Sequence, residues 1–412
     1  IIELNAEGMY MEVEAGVRTV DIQKYANEAG FLYAGDPCSA ESCLIGGNIA
    51  TNAGGNKAVR YGVTRDQVYA VEVVTPTGEI VELGARLKKK STGYCLEQLI
   101  MGSEGTLGII TKATLKLLPL CPYKLDLLAI FTDLDKAVGL VPNLIKAGLN
   151  PTSVEFMDNA FVRSSSDYCE LKLPHYEDGF YVIVTVETFN EDELESKMEQ
   201  LDEICSASGA TDVLEADDRV WKLRRNCLES TRVLSLVSTS DDLVVPVDQI
   251  ANCIRHLTRV AENYNFKLFT LAHAGDGNLH FQILKGEMSD EQWEDEVSRF
   301  HAEAYPYVYS LGGRLSGEHG IGITKYGVEF VSPWHEHTSD LTFAEAMDKS
   351  FPYSMHVRRS EFDELLFRHA AKRGARCFEG QRATHVDMNT DKGSDGRATV
   401  RVKGDDGVDT EW

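Results

Sequence analysis

The sequence predicts an α+β protein, and three observations carry that prediction. Apolar residues alternate with polar ones in several short segments joined by tight turns, which is typical of antiparallel strands. Segments with apolar residues at helical spacing lie among these strands in mixed order, and not after every strand. Two glycine-rich loops flank the first group of strands, and neither has the G-x-G-x-x-G or G-x-x-x-x-G-K-[ST] pattern of Rossmann and P-loop folds. The length of 412 residues predicts about two or three domains.

Composition and charge exclude several classes of function. The net charge of −24 argues against a nucleic-acid binder and against adhesion to anionic lipid. No apolar run reaches the length of a membrane span, and no signal peptide is recognised. The nine cysteines contain no CxxC pair, which favours reduced thiols in a cytosol-like compartment. The chain opens at Ile1 inside a predicted strand, as expected for a fragment.

Residues 1–118 are predicted to form the first domain. Met11 and Val13 alternate with glutamates, which predicts a half-buried strand, and the helical spacing from Val17 to Ala29 predicts a helix that Gly30 ends. Residues 69–83 predict two strands joined by a turn.

Two glycine-rich segments complete this region. Residues 45–55 (IGGNIATNAGG) predict a loop that is neither amphipathic helix nor ordinary strand. Its bare backbone N–H groups suit a phosphate or a flat heteroaromatic ring, although a purely structural glycine-rich loop is the commoner case. Residues 102–108 lead into a strand that is predicted to place Ile109, Ala113 and Leu115 on one face.

Residues 36–55, Tyr61-Gly62 and residues 102–108 resemble the FAD-binding domain of the FAD-linked oxidases, the p-cresol methylhydroxylase and vanillyl-alcohol oxidase superfamily. The resemblance implies a PCMH-type FAD-binding domain with FAD as its cofactor. It also implies an earlier subdomain with a further pyrophosphate loop, so we expect this chain to be truncated at its N-terminus. By this resemblance the flavin and its ribityl-pyrophosphate arm would be approached by Gly46, Gly47, Asn48, Thr51, Asn52, Gly54, Gly55, Glu104, Gly105 and Ile110.

Residues 119–330 are predicted to form a second domain, with helices on an antiparallel sheet. Residues 123–131 and 180–188 are rich in apolar and β-branched side chains and predict strands. Ser289 and Gln292 form a capping box that opens a helix, and Pro306 should kink or end it.

A predicted hairpin in this domain carries two histidines. Its strands run into and out of an Asp276-Gly277 pair, which favours a two-residue type I′ turn. That register sets His273 opposite His280, with Cβ atoms about 5 Å apart. Two imidazoles at that distance can share one divalent ion, and Glu318 could add a carboxylate while an open position remains. Two hydrogen-bonded core histidines are the alternative.

Residues 273–280 and 316–322 resemble the C-terminal domain of the D-2-hydroxy-acid dehydrogenase branch, which includes D-lactate, glycolate and D-2-hydroxyglutarate dehydrogenases. The resemblance implies a divalent metal, zinc or manganese, and a catalytic base. The metal ligands would be His273, His280 and Glu318, and the base would be His319.

Residues 221–224 (WKLR) resemble the family's segment whose arginine binds the substrate carboxylate, and residues 242–246 resemble the strand that follows it. The resemblance therefore implies substrate binding by Arg224. Without it, Arg224 beside Arg225 is more simply a surface charge pair.

This residue set suits one reaction. An α-hydroxy acid can chelate a metal that lowers the pKa of its hydroxyl group, and a guanidinium can neutralise its carboxylate bidentately. A histidine removes the hydroxyl proton while hydride leaves for flavin N5. The expected function is the FAD-dependent oxidation of a D-2-hydroxy acid (D-lactate, glycolate or D-2-hydroxyglutarate) to the 2-oxo acid. The expected partners are that substrate and an electron acceptor (a quinone, a cytochrome or electron-transfer flavoprotein), with no nucleic acid and with a homodimer left open. The expected location is cytoplasmic or peripheral at the inner membrane, which is mitochondrial in a eukaryote.

Residues 331–412 form a tail of a different character. They resemble part of a Rossmann-type flavoprotein of the tryptophan-halogenase and geranylgeranyl-reductase type, in which the VRRSEFDELL stretch (residues 357–366) lies near FAD. A helix there and strands at 376–388 and from Ala398 onward are predicted, in a foreign or fused piece that does not fold as a complete domain. Two alternatives to the dehydrogenase therefore stand: a flavin-dead remnant without catalysis, and a flavin-dependent monooxygenase or halogenase defined by the tail.

Overall fold

A computed structural model of the chain describes residues 1–322 with their side chains, and beyond them only the backbone of five strands. The chain divides into two compact units, residues 1–322 and 323–412. Among the described residues no helix combines the length and the apolar character that crossing a membrane requires.

The first 119 residues form a five-stranded antiparallel sheet with the order β1-β2-β6-β4-β5. A two-stranded pair, β3 with β7, lies beside it. The elements are β1 (Glu3–Asn5), β2 (Tyr10–Glu14), α1 (Thr19–Glu28), β3 (Phe31–Leu32), α2 (Ile45–Thr51), α3 (Ala58–Tyr61), β4 (Val68–Val74), β5 (Ile80–Gly84), α4 (Leu96–Ile100), β6 (Ile109–Lys116) and β7 (Leu118–Pro119).

The alternation and helical spacing in this region predicted β2, β4, β5, β6 and α1 correctly, whereas β3 and β7 were not predicted. The core of this sheet includes Met11 and Val13 of β2 and Ile22 of α1. Two predictions were wrong: the loop over residues 45–51, and the buried position of Ile109 on β6. Residues 45–51 form helix α2, because Ile45 and Ile49 lie one turn apart and are both fully buried.

Ile109 is 69% exposed and does not share a buried face with Ala113 and Leu115. The pairing of β4 with β6 shifts by one residue between Glu72 and Val73, which breaks the alternation along β6.

A seven-stranded antiparallel sheet with the order β11-β8-β10-β9-β13-β14-β12 forms the second part. Its elements are β8 (Tyr123–Phe131), α5 (Leu134–Lys146), β9 (Ser153–Met157), α6 (Asn159–Tyr168), β10 (Phe180–Thr188), α7 (Glu193–Ala207), β11 (Asp212–Glu215), α8 (Asp218–Arg225), α9 (Cys227–Leu234), β12 (Ser238–Val244), α10 (Ile250–Ala261), β13 (Lys267–His273), β14 (Asn278–Leu284) and α11 (Asp290–Ser310). The predicted capping box at Ser289 is present, whereas α11 continues through Pro306 to Ser310.

Both faces of this sheet are covered by helices. Alternate strand residues pack against α5, α7, α10 and α11 on one face and against α6, α8 and α9 on the other. Because successive side chains of a strand point to opposite faces, each strand supplies both cores. The first sheet has its own core.

The second unit contains two antiparallel arrangements of strands. The first pairs β15 (Gly327–Val331) with β16 (Thr338–Thr342), and the second runs β17 (Gln381–Met388), β18 (Ala398–Gly404) and β19 (Asp409–Glu411). The strands predicted at 376–388 and from Ala398 onward are thus largely confirmed. The predicted helix and the VRRSEFDELL stretch lie outside the described residues.

Candidate functional site

The site is built on two neighbouring rows of cross-strand partners in the seven-stranded sheet. Glu155, His273 and Asn278 are paired across β9, β13 and β14. Two residues away along each strand, Leu271 of β13 pairs with His280 of β14. His280 in turn pairs with Asp242 of β12. Partners in antiparallel strands share a face, so these side chains all point to the face covered by α6, α8 and α9.

The observed pairing of β13 with β14 shows that the predicted register of the hairpin was wrong. His273 lies opposite Asn278, and four residues, 274–277, join the strands in place of a two-residue turn. The loop forms backbone hydrogen bonds with neighbouring segments. The Gly275 N–H donates to Val154 O (3.3 Å), and Gly277 O accepts from the Val245 N–H (3.0 Å). These bonds to β9 and to the end of β12 favour the longer loop.

The two histidines nevertheless meet, as diagonal neighbours on one face. Their ring centroids are 5.2 Å apart and the rings are nearly perpendicular. Glu318, in the segment after α11, completes the group. Its Oε1 lies 3.6 Å from His273 Nε2 and 3.4 Å from His280 Nε2.

These distances fit a metal ion. Ligand atoms about 2.1 Å from a tetrahedral zinc lie about 3.4 Å from one another. The other oxygen of Glu318, Oε2, is buried and has no hydrogen-bond partner among the described residues. A buried carboxylate oxygen without a partner is costly, and a cation would satisfy it. The donor set of two imidazoles and one carboxylate is one that zinc and manganese accept.

A buried carboxylate and a guanidinium lie behind His273, on the side away from Glu318. Its Nδ1 lies 2.7 Å from Oε1 of the fully buried Glu155. The Nε and Nη2 of Arg224 donate to Glu155 Oε2 at 3.1 and 2.7 Å, and the Arg224 side chain is 11% exposed. Arg224 is therefore no surface charge pair, because it holds the carboxylate that orients a histidine.

Sequence reasoning missed Glu155. The available signal was a single acidic residue inside Ser153–Met157, a strand whose five residues are all buried. Buried carboxylates are nearly always paired, so such a residue predicts a partner without saying which one. Cys38 was also missed: its exposed thiol lies 4.0 Å from His273 Nε2, and no sequence pattern pointed to it.

The protonation states follow from burial and neighbouring charges. Burial, together with the nearby His273, lowers the pKa of His280 to about 4, so its ring is neutral at neutral pH. Burial would raise the pKa of Glu318, but hydrogen bonds with His273 and His319 lower it, which keeps the carboxylate ionised. A neutral imidazole and an ionised carboxylate are the forms that bind metals.

The other two histidines respond to carboxylates. Burial lowers the pKa of His273, but the charge of Glu155 outweighs it and raises that pKa well above its ordinary value. Burial also opposes protonation of His319, yet Glu318 and Asp242 raise its pKa. His319 Nε2 lies 3.2 Å from Glu318 Oε1, and the His319 side chain is 59% exposed, so it is the most accessible group of the site.

The first glycine-rich segment lies against the same site. A Cβ atom on Gly54 would come 2.9 Å from Glu318 Oε2, so only a glycine allows this approach. Gly55 has φ +137°, and a Cβ there would lie 2.0 Å from Asp36 O. A small cavity of about 120 Å³ opens at this point, between Gly54, Asn278 and Glu318.

The polar residues that were predicted to approach the flavin make hydrogen bonds within the protein that stabilise the first glycine-rich segment. Asn48 Nδ2 donates to Thr19 Oγ1 (2.6 Å), and Thr51 Oγ1 donates to Gly47 O (3.2 Å). Asn52, at φ 54°, accepts from a backbone N–H through its side chain.

The predicted glycines and Ile110 differ in their surroundings. Gly46 packs on Ala15, whereas Gly47 and Gly105 have no atom within 4 Å of a Cβ position and leave their backbone approachable. Ile110 packs partly on the first core. An approachable backbone at Gly47 and Gly105 fits a flat or phosphorylated cofactor.

The second glycine-rich segment reaches the site through Glu104. Its carboxylate accepts the backbone N–H groups of Ile321 and Gly322, just beyond His319. The two segments predicted to hold FAD and the histidine-glutamate group are thus brought together in one place.

Comparison with known proteins agrees with this arrangement. A family model described as "FAD linked oxidases, C-terminal domain" matches residues 124–336, and one described as "FAD binding domain" matches residues 1–84. A D-lactate dehydrogenase of Anaerostipes hadrus is 36% identical over 345 residues, which cover 81% of this chain and 72% of that protein. The glycolate oxidase subunit GlcD of Bacillus subtilis (strain 168) is 34% identical, with 79% of this chain and 70% of the relative covered.

A D-2-hydroxyglutarate dehydrogenase of Stutzerimonas stutzeri (strain A1501) is 31% identical, with 79% of this chain and 71% of that protein covered. Among solved structures, an alkyldihydroxyacetonephosphate synthase superimposes with a TM-score of 0.60 at 18% identity. The superimposed part covers 76% of this chain and 61% of the synthase chain. This likeness supports the predicted fold, a PCMH-type FAD-binding domain followed by a sheet-and-helix domain.

Proposed function

We infer the function from the family: the chain belongs to the FAD-linked oxidases, and both of its matched domains are those of that family. It is an FAD-dependent oxidoreductase that acts on the CH–OH group of 2-hydroxy acids, as the names of its relatives indicate. The predicted flavoprotein and its small 2-hydroxy-acid substrate class are thereby confirmed.

We propose further that the substrate is a D-2-hydroxy acid, namely D-lactate, glycolate or D-2-hydroxyglutarate, and that a bound zinc or manganese ion assists its oxidation to the 2-oxo acid. The observation that supports this is the meeting of two imidazole nitrogens with one carboxylate oxygen, at 3.4 and 3.6 Å, beside the glycine-rich segments. His273, His280 and Glu318 would hold the ion. A metal in this position would supply a Lewis acid that lowers the pKa of the substrate hydroxyl.

His319 is the proposed base. It follows a ligand directly in the chain, is the most exposed of these groups, and can reach a substrate that the ligands do not enclose. The carboxylates that raise its pKa make it a stronger proton acceptor at its ring nitrogen.

Arg224 is the proposed partner of the substrate carboxylate. Its Nε and Nη2 are occupied by Glu155, and no described residue accepts from its Nη1. We propose that Nη1, with its two N–H groups, meets the substrate. The fork of the guanidinium would then face Glu155 on one side and the substrate carboxylate on the other.

FAD, when bound at the glycine-rich segments, supplies the acceptor for the two electrons. The residues of the chain provide its surroundings: the approachable backbone at Gly47 and Gly105, and the close contact of Gly54 with Glu318. A quinone, a cytochrome or electron-transfer flavoprotein would then reoxidise the flavin.

The decisive experiment compares His319→Ala with His280→Ala in the full chain. Metal content is measured by elemental analysis, flavin by its absorbance, and turnover of the three acids with an artificial electron-accepting dye. His319→Ala should keep its metal and lose turnover, whereas His280→Ala should lose both. His256→Ala, a histidine of α10 stacked on Tyr307 and remote from the site, serves as the control and should keep both.

Loss of metal in His319→Ala would mean that ligand and base have been assigned wrongly. A protein that stays colourless after FAD is added would instead support the remnant without catalysis.

A further inference from the structure

We propose that Asp242 is a positioning residue that fixes the metal ligand Glu318 and the base His319 by holding their backbone turn against strand β12. The proposal rests on the proposed function, since the roles of Glu318 and His319 come from it. Asp242 itself neither touches the substrate nor ligates the ion in this assignment.

One carboxylate oxygen of Asp242 accepts hydrogen bonds from four successive residues of the turn, Ser316 to His319. Its Oδ2 accepts the hydroxyl of Ser316 (2.9 Å) and the backbone N–H groups of Gly317 (3.1 Å), Glu318 (2.9 Å) and His319 (2.8 Å). Three consecutive N–H groups that converge on one anion form a nest, a backbone shape that a negative charge stabilises. Because Asp242 is only 8% exposed, water does not compete for these bonds.

The other oxygen reaches the histidine side of the site. Oδ1 accepts from Asn278 Nδ2 (2.6 Å) and lies 3.7 Å from His280 Nδ1, the nitrogen that would not face the metal. Asp242 therefore lies behind His280 on the side away from Glu318, at a distance that gives charge attraction and not the 2.7 Å hydrogen bond that joins Glu155 to His273. A negative charge on that side favours the ring orientation in which Nδ1 faces Asp242 and Nε2 faces Glu318.

The backbone around Asp242 fixes the same geometry. The Asp242 carbonyl accepts the Gly317 N–H (3.1 Å), and Asp242 forms a parallel bridge with Ser316. A Cβ on Gly317 would lie 2.0 Å from Asn278 Nδ2, so the turn is as close to β14 as a glycine permits. Glu318 and His319 are thus held through their main chain, which leaves their side chains free for chemistry.

The neighbouring residue provides a matched comparison. Asp241 lies on the same strand and is also 8% exposed, but its side chain points to the opposite face. There its two oxygens accept from His301 Nε2 and Tyr305 OH, both at 3.0 Å. Asp241→Asn therefore disturbs an equally buried carboxylate of β12 without touching the turn.

The test uses Asp242→Asn and Asp241→Asn in the full chain. An amide at 242 keeps the shape but removes the charge, and its own NH₂ group faces the donors of the turn. Hydrogen exchange of peptides covering residues 314–322 is measured in metal-free protein, and zinc affinity is measured by competition with a chromophoric chelator. For Asp242→Asn we expect exchange of the Gly317–His319 amides to quicken at least about tenfold, and zinc to bind about 10- to 100-fold more weakly.

Asp241→Asn should leave both quantities within about twofold of the original protein, whatever it does to the melting temperature. Unchanged exchange in Asp242→Asn, or equal effects of the two substitutions, would overturn the proposal. If the unaltered protein binds neither zinc nor manganese while only Asp242→Asn loosens the turn, the positioning role stands and the proposed metal function fails.

Discussion

Gly317→Ala tests how tightly the turn that carries Glu318 and His319 is packed. The added methyl carbon would lie 2.0 Å from Asn278 Nδ2 and 2.7 Å from its Cγ, so Asn278 must move. Movement breaks its bonds to Asp242 Oδ1 (2.6 Å) and Leu243 O (3.1 Å). A bond to a charged acceptor contributes about 1.5–3 kcal/mol and a neutral one about 1 kcal/mol, so we expect the free energy of unfolding to fall by about 3 kcal/mol.

The assay is urea unfolding of the metal-free protein, followed by circular dichroism, with Gly139→Ala as the control. Gly139 lies within α5 and has no atom within 4 Å of a Cβ position, so alanine should stabilise that helix by about 0.5–1 kcal/mol. A change below about 0.5 kcal/mol for Gly317→Ala would refute the reasoning, since it would mean that the turn can retreat from Asn278 without loss.

Two further substitutions test the packing around the site. Glu155→Gln leaves the guanidinium of Arg224 buried without its charged partner, so we expect the free energy of unfolding to fall by about 3–5 kcal/mol in urea. A loss below about 1 kcal/mol would show that Arg224 finds another partner. Tyr61→Phe removes the hydrogen bond from Tyr61 OH to Glu187 (2.8 Å), which links the first domain to β10. The same assay should show a loss of about 1 kcal/mol, and no loss would mean that water replaces this bond.

Local patterns predicted most strands and helices but failed where two signals overlapped. Two glycines within α2, and two more just after it at residues 54 and 55, concealed the one-turn spacing of Ile45 and Ile49. Glycine weakens a helix, yet burial of the two isoleucines outweighs that preference. In β6, the shift in pairing that exposes Ile109 depends on the neighbouring strand and has no local signal.

The site residues also fall into two groups, those that local sequence motifs indicate and those that they do not. His273, His280 and Glu318 were recognised from short motifs, and their diagonal approach survives a register that was predicted wrongly. The supporting carboxylates Glu155 and Asp242 were not recognised, because their partnership depends on the order of strands β9, β13, β14 and β12. Glu155 and His273 are 118 positions apart, and Asp242 lies 36 positions from Asn278 and 76 from Glu318. No local periodicity encodes such pairings.

The buried charges around the two histidines bear on the valence of the cation that the proposed site would hold. The carboxylates of Glu155, Asp242 and Glu318 together with the guanidinium of Arg224 carry two excess negative charges. The raised pKa of His273 allows that ring to offset one of them by holding a proton. Charge that is removed from water must be balanced nearby. The proposed divalent ion, which would displace the proton from His273, would bring this group to neutrality. Sodium or potassium in its place would leave one negative charge, and a trivalent ion one positive charge. Part of the proposed site's preference for a divalent cation would therefore come from Glu155, Asp242 and Arg224, which do not touch the ion in this assignment.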